Sequence, residues 1–193
     1  MYIPKHFDIT DDEEIFSFIE ANAFGQLIST VEGRLYSTHI PFLLSPGNKQ
    51  LLGHVAKENP QWKDLDGQEV LITLLGPHAY ISPSWYSSPG VPTWNYQAVH
   101  VYGTCHAFND ASRLIQLIES LTAKYESTFD QPWQPDYPAS MLKAIVGIEI
   151  EISELQCKYK LSQNRSSQDR SQVTKALGAR GSNQVEKAMR ELK

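Results

Sequence analysis

The sequence predicts a mainly β protein with flanking helices, built as a small β-barrel. Six or seven short segments are rich in β-branched and aromatic residues and are separated by turn residues. Apolar residues at helical spacing occur only near the start, after the main run of strands and at the end. With 193 residues, of which 41% are hydrophobic, the chain can form one globular domain with a substantial core.

Two helices are predicted from capping residues and apolar spacing. Thr10 and Glu13 have the spacing of a capping box, so we expect an amphipathic helix over residues 11–22. Asp110 is expected to cap a second helix that ends near Tyr125. Both helices have one broad apolar stripe, which indicates packing against the sheet.

The strands are predicted from apolar runs and from the turns between them. Glu32-Gly33 favours a tight hairpin. Val70 to Leu75 is a continuous apolar run, which predicts a strand buried on both faces. Apolar residues alternate strictly from Val146 to Ile152 and then slip in phase, which predicts a bulge near Ser153-Glu154. The expected strands are 25–31, 34–44, 50–56, 70–75, 78–82, 94–108 and 146–152.

Charge is unevenly distributed along the chain. The net charge is −5, but residues 1–155 hold 8 basic and 19 acidic residues, whereas residues 156–193 hold 9 and 3. An acidic body repels a nucleic-acid backbone. We therefore expect any DNA contact to fall on the basic segment 158–193, although no helix-turn-helix pattern is present. A solvated terminal helix is the alternative reading of this segment.

Several classes of protein lack support in the sequence. No apolar run approaches the roughly 18 residues of a membrane span, and residues 1–12 lack the features of a signal peptide, so a cytoplasmic protein without membrane association is expected. Cys105 and Cys157 belong to no CxxC pair and are expected to be buried, inert thiols. The histidines match no zinc motif. The GxSxG motif of serine hydrolases and the glycine-rich Walker and GxGxxG motifs of nucleotide-binding proteins are also absent from the sequence.

Polar and aromatic residues cluster where the predicted strands end. Residues 37–41 and 54–59 close two strands, and tryptophans and tyrosines flank an irregular loop at 83–92. Backbone amides and aromatic walls suit a flat ring, while Lys57 and Asn59 suit a phosphate group. These residue types predict a site for a planar, phosphorylated ligand, with plain core packing as the alternative role of the tryptophans.

Five motifs occur in a fixed order over nearly the whole chain. They are Thr38-His39-Ile40-Pro41-Phe42, Gly53-His54-Val55-Ala56-Lys57 with Asn59-Pro60-Gln61-Trp62, Gly76-Pro77-His78-Ala79-Tyr80-Ile81-Ser82-Pro83-Ser84-Trp85-Tyr86, Val91-Pro92-Thr93-Trp94-Asn95-Tyr96 and Lys160-Leu161-Ser162-Gln163-Asn164-Arg165. With these motifs the chain resembles the PaiB-type FMN-binding transcriptional regulators.

The resemblance implies an FMN-binding split β-barrel of the pyridoxamine-phosphate-oxidase type, homodimeric, with FMN between the subunits. It also implies negative control of protease and sporulation genes. We expect a flavin-binding domain over residues 1–160 and a basic helical extension over 161–193. The strand of Thr38 and His39 is expected to line the isoalloxazine ring, Lys57 and Asn59 to lie near the phosphate, and residues 163–165 to complete the groove. The expected cofactor-binding residues are Thr38, His39, Ile40, His54, Lys57, Asn59, Trp94, Gln163, Asn164 and Arg165.

Two other functions remain open on the same barrel. A flavin-dependent oxidoreductase acting on a small substrate would use Trp94, Tyr96 and His78 to shape a pocket over the ring. A haem-binding or haem-degrading protein would use His78 or His100. The sequence assigns no catalytic residue, and we favour regulation over catalysis.

Overall fold

The computed structural model describes residues 1–135 and 139–192. The strands in this part of the chain are β1 (Asp8–Ile9), β2 (Phe24–Val31), β3 (Arg34–Pro41), β4 (Leu43–Leu44), β5 (Gln50–Ala56), β6 (Gln68–Ile81), β7 (Thr93–Phe108) and β8 (Ile145–Lys160). The helices are α1 (Asp12–Ala21), α2 (Ala111–Glu126), α3 (Ser167–Ala179) and α4 (Asn183–Glu191). The prediction of a mainly β fold with flanking helices is confirmed.

The strand order is β3-β2-β6-β7-β8-β5-β4, and β1 pairs with β8. The β2–β3 pair is a tight hairpin in which Val31 lies opposite Arg34. Its two turn residues, Glu32 and Gly33, have φ values of 50° and 77°. Positive φ at both turn positions matches the right-handed twist of the flanking strands, so the hairpin predicted at Glu32-Gly33 is confirmed.

The chain folds as two compact units. The terminal unit contains residues 1–18, 75–100 and 156–193, and the central unit contains residues 19–74 and 101–155. The strands β6, β7 and β8 each contribute residues to both units. The helices expected in the C-terminal extension are present as α3 and α4. The domain boundary expected at residue 160 stays a prediction.

The first helix begins differently from the prediction. Asp11, rather than Thr10, caps it, because the Asp11 carboxylate accepts hydrogen bonds from the backbone N–H of Glu13 at 2.9 Å and of Glu14 at 3.3 Å. One carboxylate thus satisfies two N–H groups of the first turn, and its charge is favourable at a helix N-terminus. The second helix begins as predicted, since the Asp110 carboxylate accepts from Arg113 N at 2.8 Å.

Two strand predictions are wrong in detail. The segments 70–75 and 78–82 form the single strand β6. The run from Val70 to Leu75 is not buried on both faces, because Leu75 is 57% exposed while the alternate residues Val70, Ile72 and Leu74 are buried. A continuous apolar run therefore does not show whether one face or both faces of a strand are buried; in this chain only one face of β6 is buried at residues 70–75.

The segment expected as one strand over residues 34–44 is interrupted at Phe42. The Phe42 N–H donates to the carbonyl of Ala23 at 2.8 Å, and its ring is fully buried. In β8 the buried apolar side chains lie at even positions at Ile148 and Ile150 and at odd positions at Cys157 and Tyr159. The predicted phase slip is confirmed, and the bulge itself stays a prediction.

Each unit has its own apolar core. Burial of a large aliphatic or aromatic side chain contributes about 1.5–3 kcal/mol, so these residues dominate the stability of each unit. The core of the terminal unit includes Ile15, Phe18, Ile81, Val99, Leu161, Val173, Leu177, Val185 and Met189. The core of the central unit includes Leu27, Phe42, Leu51, Leu65, Ile72, Val101, Val146, Ile148 and Ile150.

Both cysteines are buried and unbridged, as predicted. Burial, with a smaller contribution from Asp66, raises the pKa of the Cys105 thiol to about 12. Burial, with the nearby carboxylates of Glu14 and Asp8, raises the pKa of Cys157 to about 12. Because the thiolate is the reactive form, neither side chain is a nucleophile at neutral pH.

Candidate functional site

The first part of the candidate site is the turn that follows β5. A 3-10 helical turn, Pro60–Asp64, begins at Asn59, whose side-chain Oδ1 accepts a hydrogen bond from Gln61 N at 3.0 Å. The indole Nε1 of Trp62 donates to the Lys57 carbonyl at 2.8 Å. These bonds hold the backbone from residue 57 to residue 62 in one conformation, while the Lys57 side chain is exposed.

A hydrogen-bond network joins this turn to β2 and β3. Its hub is Gln61, which is fully buried. The Gln61 Nε2 donates to the Leu27 carbonyl at 3.1 Å and to Ser29 Oγ at 2.8 Å. The Thr38 hydroxyl donates to Gln61 Oε1 at 2.6 Å, and Asn59 Nδ2 donates to Thr38 Oγ1 at 2.9 Å. We call these five residues the Gln61 network; it brings Thr38 and Asn59 together, and their contact with a cofactor stays a prediction.

His39 and Ile40 follow Thr38 on β3 and point in different directions. The exposed His39 ring accepts a hydrogen bond from Gln26 Nε2 at 3.0 Å and stacks on Phe24, with the ring centroids 6.2 Å apart. Ile40 is buried, and its Cδ1 packs so closely against Gly53 that a Cβ there would lie 3.2 Å away. Side-chain contact with a ligand is therefore available to His39, whereas Ile40 is a core residue.

His54 lies on β5 opposite Gly147 of β8. Its Nδ1 is buried and has no hydrogen-bond partner within the described residues. Burial lowers the pKa of His54, since a charged imidazolium would lose its hydration there. Burial at this position therefore favours the neutral form of the imidazole.

In the terminal unit, Trp94 belongs to an exposed aromatic cluster. Its ring centroid is 6.1 Å from that of Tyr80 and 6.3 Å from that of His78, and the Trp94 side chain is 53% exposed. The Lys160 ammonium donates to the Trp94 carbonyl at 2.5 Å and to Thr93 Oγ1 at 2.6 Å. Burial, together with the nearby charges of Lys158 and Arg165, lowers the pKa of Lys160. The cluster offers exposed aromatic rings beside the half-buried Lys160 ammonium.

Gln163 holds the turn after β8, whereas Arg165 contacts the loop at 83–92. The Gln163 amide accepts from Leu161 N at 2.6 Å and donates to the Tyr159 carbonyl, so both of its polar ends are used within the turn after β8. The Arg165 guanidinium lies 4.3 Å from the centroid of the Tyr86 ring and donates to the Pro89 carbonyl at 3.3 Å. Asn164, between them, is exposed.

A second anchor of the 83–92 loop was missed at the sequence level. The buried Asp169 carboxylate accepts from Ser87 N at 2.8 Å, from Ser87 Oγ at 2.8 Å and from Ser88 Oγ at 2.7 Å. These hydrogen bonds hold the pKa of Asp169 well below its usual range, and the bond from Ser88 makes the largest contribution. The spacing of Ser166 and Asp169 is that of a capping residue and the N3 position of α3, and it could have located this carboxylate.

Most basic side chains of the C-terminal segment are engaged within the terminal unit. Lys158 is buried and donates to the Tyr2 carbonyl, and Arg180 lies 6.0 Å from the Trp85 ring. Arg190 pairs with Glu186 at 2.6 Å, and Lys187 pairs with Glu191 at 3.7 Å. Over residues 156–192, only Arg170 and Lys175 lack such a contact in the structure.

The predicted site residues thus fall into two groups. Thr38, His39, Ile40, His54, Lys57 and Asn59 belong to the central unit, and Trp94, Gln163, Asn164 and Arg165 belong to the terminal unit. The residues missed by sequence reasoning as organisers of the site are Gln61 and Asp169. Across the described ranges no helix is long and apolar enough to span a membrane, and no group of three metal-ligating side chains is found.

Known proteins share sequence and fold with this chain. Residues 1–154 match the family described as "Putative FMN-binding domain". The "Protease synthase and sporulation protein PAI 2" of Bacillus subtilis is 42% identical over 92% of this chain and 89% of its own length.

Two solved structures have a similar fold. The flavocytochrome Anf3 of Azotobacter vinelandii has a TM-score of 0.66 at 15% identity, over 88% of this chain and 78% of its own. The FAD and heme binding protein of Mycobacterium smegmatis has a TM-score of 0.64 at 14% identity, over 85% of this chain and 78% of its own. They confirm the split-barrel prediction. By the match over residues 1–154 and by the identity to the Bacillus subtilis protein, the chain belongs to the PaiB-type family of FMN-binding proteins.

Proposed function

We propose that this protein is an FMN-binding regulator that acts in the cytoplasm as a homodimer, with the flavin in the subunit interface. The observation that carries the proposal is the 42% identity, over 92% of the chain, to a Bacillus subtilis protein named for protease synthesis and sporulation. The regulatory role is negative control of genes of that kind. Residues 161–193 form a helical extension of the flavin-binding domain.

The central unit supplies groups that suit FMN. The exposed Lys57 ammonium, on a turn held by the Trp62 indole bond to the Lys57 carbonyl, suits the phosphate as a point charge. The stacked rings of His39 and Phe24 offer an exposed flat surface in the same unit. Trp94, Asn164 and Arg165 are proposed as further contacts. When bound, FMN supplies an isoalloxazine ring that can take up and release electrons.

Flavin titration is the direct test of this assignment. Purified protein is expected to turn yellow with FMN and to quench its fluorescence at one FMN per chain. Lys57→Gln is expected to weaken FMN binding about tenfold, because a charge-assisted contact to phosphate is lost. Lys49→Gln, on an exposed turn of the same unit, is the matched control and should leave binding unchanged. Protein that neither turns yellow nor quenches FMN would contradict the proposal.

The dimer is supported by an apolar edge strand. β3 is the first strand in the sheet order, and it exposes 77% of Leu35. Phe24, opposite the end of β3, is 64% exposed. An unpaired apolar edge attracts another chain unless it is covered, and a second copy of this chain would cover it.

The oligomeric state can be measured by sedimentation equilibrium. Leu35→Lys is expected to weaken the dimer at least tenfold and to weaken FMN binding with it, since the groove needs both subunits. Ile115→Lys, an exposed aliphatic position on α2, is the control and should change neither. A monomer that binds FMN with full affinity would overturn the interface part of the proposal.

Regulation is proposed to proceed through the flavin state or a protein partner. The body is acidic, and the basic side chains of the C-terminal segment are largely engaged within the terminal unit, which leaves Arg170 and Lys175 as the candidates for DNA contact. Duplex DNA is expected to bind weakly even at low salt. Salt-sensitive binding that disappears in an Arg170→Ala/Lys175→Ala variant would instead establish direct DNA contact.

The exposed aromatic cluster supports a second candidate function. Trp94, Tyr80 and His78 present aromatic rings to solvent, and the exposed Trp94 indole suits stacking with a small planar substrate of a flavin-dependent oxidoreductase. Oxidation of NAD(P)H by the FMN-loaded protein, reduced at least tenfold by Trp94→Ala, would favour this function over regulation. A rate equal to that of free FMN would exclude it.

A further inference from the structure

Backbone groups determine the direction of the hydrogen bonds around Gln61. The Leu27 carbonyl can only accept, so the Gln61 Nε2 must face it, and the Gln61 Oε1 must then face Thr38. An amide oxygen can only accept, so the Thr38 hydroxyl proton must point to Gln61. The hydroxyl of Thr38 therefore has no proton left to donate to a ligand.

The orientation of Asn59 follows in the same way. The backbone N–H of Gln61 can only donate, so the Asn59 Oδ1 must face it, and the Asn59 Nδ2 then donates to Thr38 Oγ1. Counting donors and acceptors leaves one N–H and one Oδ1 lone pair on Asn59, and one lone pair on the Thr38 oxygen. Gln61 is fully buried, whereas Thr38 and Asn59 are only half-buried, so this remaining capacity can reach a bound molecule.

We propose that Thr38 and Asn59 together bind an edge of the flavin that carries a donor beside an acceptor, and that Gln61 is the residue that positions them. A ribityl hydroxyl or the N–H and carbonyl of the pyrimidine ring offers such an edge. A phosphate dianion offers acceptors only and would face the lone pair of Thr38. This inference rests on the proposed FMN function and leaves the phosphate to Lys57.

Comparing FMN with riboflavin, which lacks the phosphate, tests the proposal. Thr38→Val removes the hydroxyl without changing the shape of the side chain. Asn59→Ser keeps an acceptor for Gln61 N but removes the amide N–H. Each variant is expected to weaken the binding of FMN and the binding of riboflavin by the same factor, about threefold to tenfold. Thr38→Ser is the matched control that keeps the hydroxyl, and Lys57→Gln is expected to weaken FMN alone.

The positioning role of Gln61 requires a separate readout. In a Gln61→Met background, the Thr38 hydroxyl loses the acceptor that orients its proton. We expect the effect of Thr38→Val on riboflavin affinity to fall below twofold there, a non-additivity that a merely structural residue would not produce. Circular dichroism and an unfolding curve test whether each variant is folded. If Gln61→Met does not fold, the single variants of Thr38 and Asn59 decide the inference.

Each failure has a distinct signature. If Thr38→Val or Asn59→Ser weakens the binding of FMN but not of riboflavin, the pair lies at the phosphate and the inference is overturned. Unchanged affinity for both flavins would show that the pair does not touch the ligand, which also overturns it. In both cases the unmodified protein still binds FMN, so the proposed function stands. Absence of binding to either flavin by the unmodified protein would overturn the proposed function itself.

Discussion

The two units each bury an amide side chain completely, and they use it differently. In the terminal unit, Asn95 Nδ2 donates to Ser162 Oγ at 3.0 Å and contacts the Met189 sulfur at 3.4 Å. Asn95, Ser162 and Met189 are all buried. In the central unit, Gln61 is equally buried, but Thr38 and Asn59 keep part of their surface exposed.

This difference separates a structural network from a candidate binding network. The Asn95 network is closed, because its polar atoms are satisfied by other buried groups and no capacity reaches the surface. The Gln61 network is open, since an N–H of Asn59 and lone pairs on Asn59 and Thr38 remain at its half-buried end. Because the central amide is buried, both networks are rigid. Only the Gln61 network has hydrogen-bonding groups left at the surface, so only it can hold a ligand in one orientation.

Removing the closed hub is expected to give the largest effect on stability. Asn95→Ala leaves a cavity and a buried hydroxyl without its partner, so the free energy of unfolding should fall by about 2–4 kcal/mol. Urea unfolding at pH 7 measures it, with Gln172→Ala, an exposed position on α3, as a control that stays within about 0.5 kcal/mol. FMN affinity of the folded variant should be unchanged; a loss above threefold would contradict the closed character of this network.

Removing the open hub is expected to cost less stability and to affect the ligand. Gln61→Met keeps the volume of the side chain but removes three hydrogen bonds, so unfolding free energy should fall by about 1–3 kcal/mol. FMN affinity should fall with it, by about threefold to tenfold. Unchanged FMN affinity in a folded, destabilised variant would mean that both networks are purely structural.

Asp169 is expected to add a pH-dependent contribution in the terminal unit. Its pKa in the folded protein lies below the unfolded value of about 3.9, so its stabilising effect is complete above that pH and is lost as the pH falls toward the folded value. Asp169→Asn should lower the urea midpoint at pH 7, and the difference from the unmodified protein should shrink below about pH 4. Asp130→Asn, at an exposed position, should show no such convergence.

The smallest expected effect concerns one histidine in each unit. His54 and His100 both have a buried Nδ1 without a partner in the described residues, and burial lowers the pKa of each, so protonation favours the unfolded state. Stability should therefore fall as the pH drops below about 6.5. His54→Gln and His100→Gln should each flatten this decline in thermal unfolding between pH 7 and pH 5. His6→Gln, which is exposed, should leave the slope unchanged.

Local features of the fold were predictable, because a few neighbouring residues decide them. The Glu32-Gly33 turn and the Asp110 cap needed only backbone geometry and one side chain. Thr38 and Asn59 were predicted to share a site, but Gln61, which joins them, was missed. Its partners lie 23, 32 and 34 positions away, and no local pattern marks such distances.

The basic C-terminal segment illustrates the same limit. Its net charge of +6 follows from the sequence, yet Arg165 and Arg180 lie against aromatic rings and Arg190 pairs with Glu186. A charge count cannot distinguish a side chain that faces solvent from one that is engaged within the fold.

By itself, the sequence determined the family, the class of cofactor and the mainly β architecture, since ordered motifs and apolar periodicity are properties of the chain alone. Only the tertiary structure decided which buried amide keeps hydrogen-bonding capacity at the surface and which basic side chains are already engaged. The amide networks join groups 21 or more positions apart in sequence, and the contacts of Arg165 and Arg180 with aromatic rings likewise form only after folding.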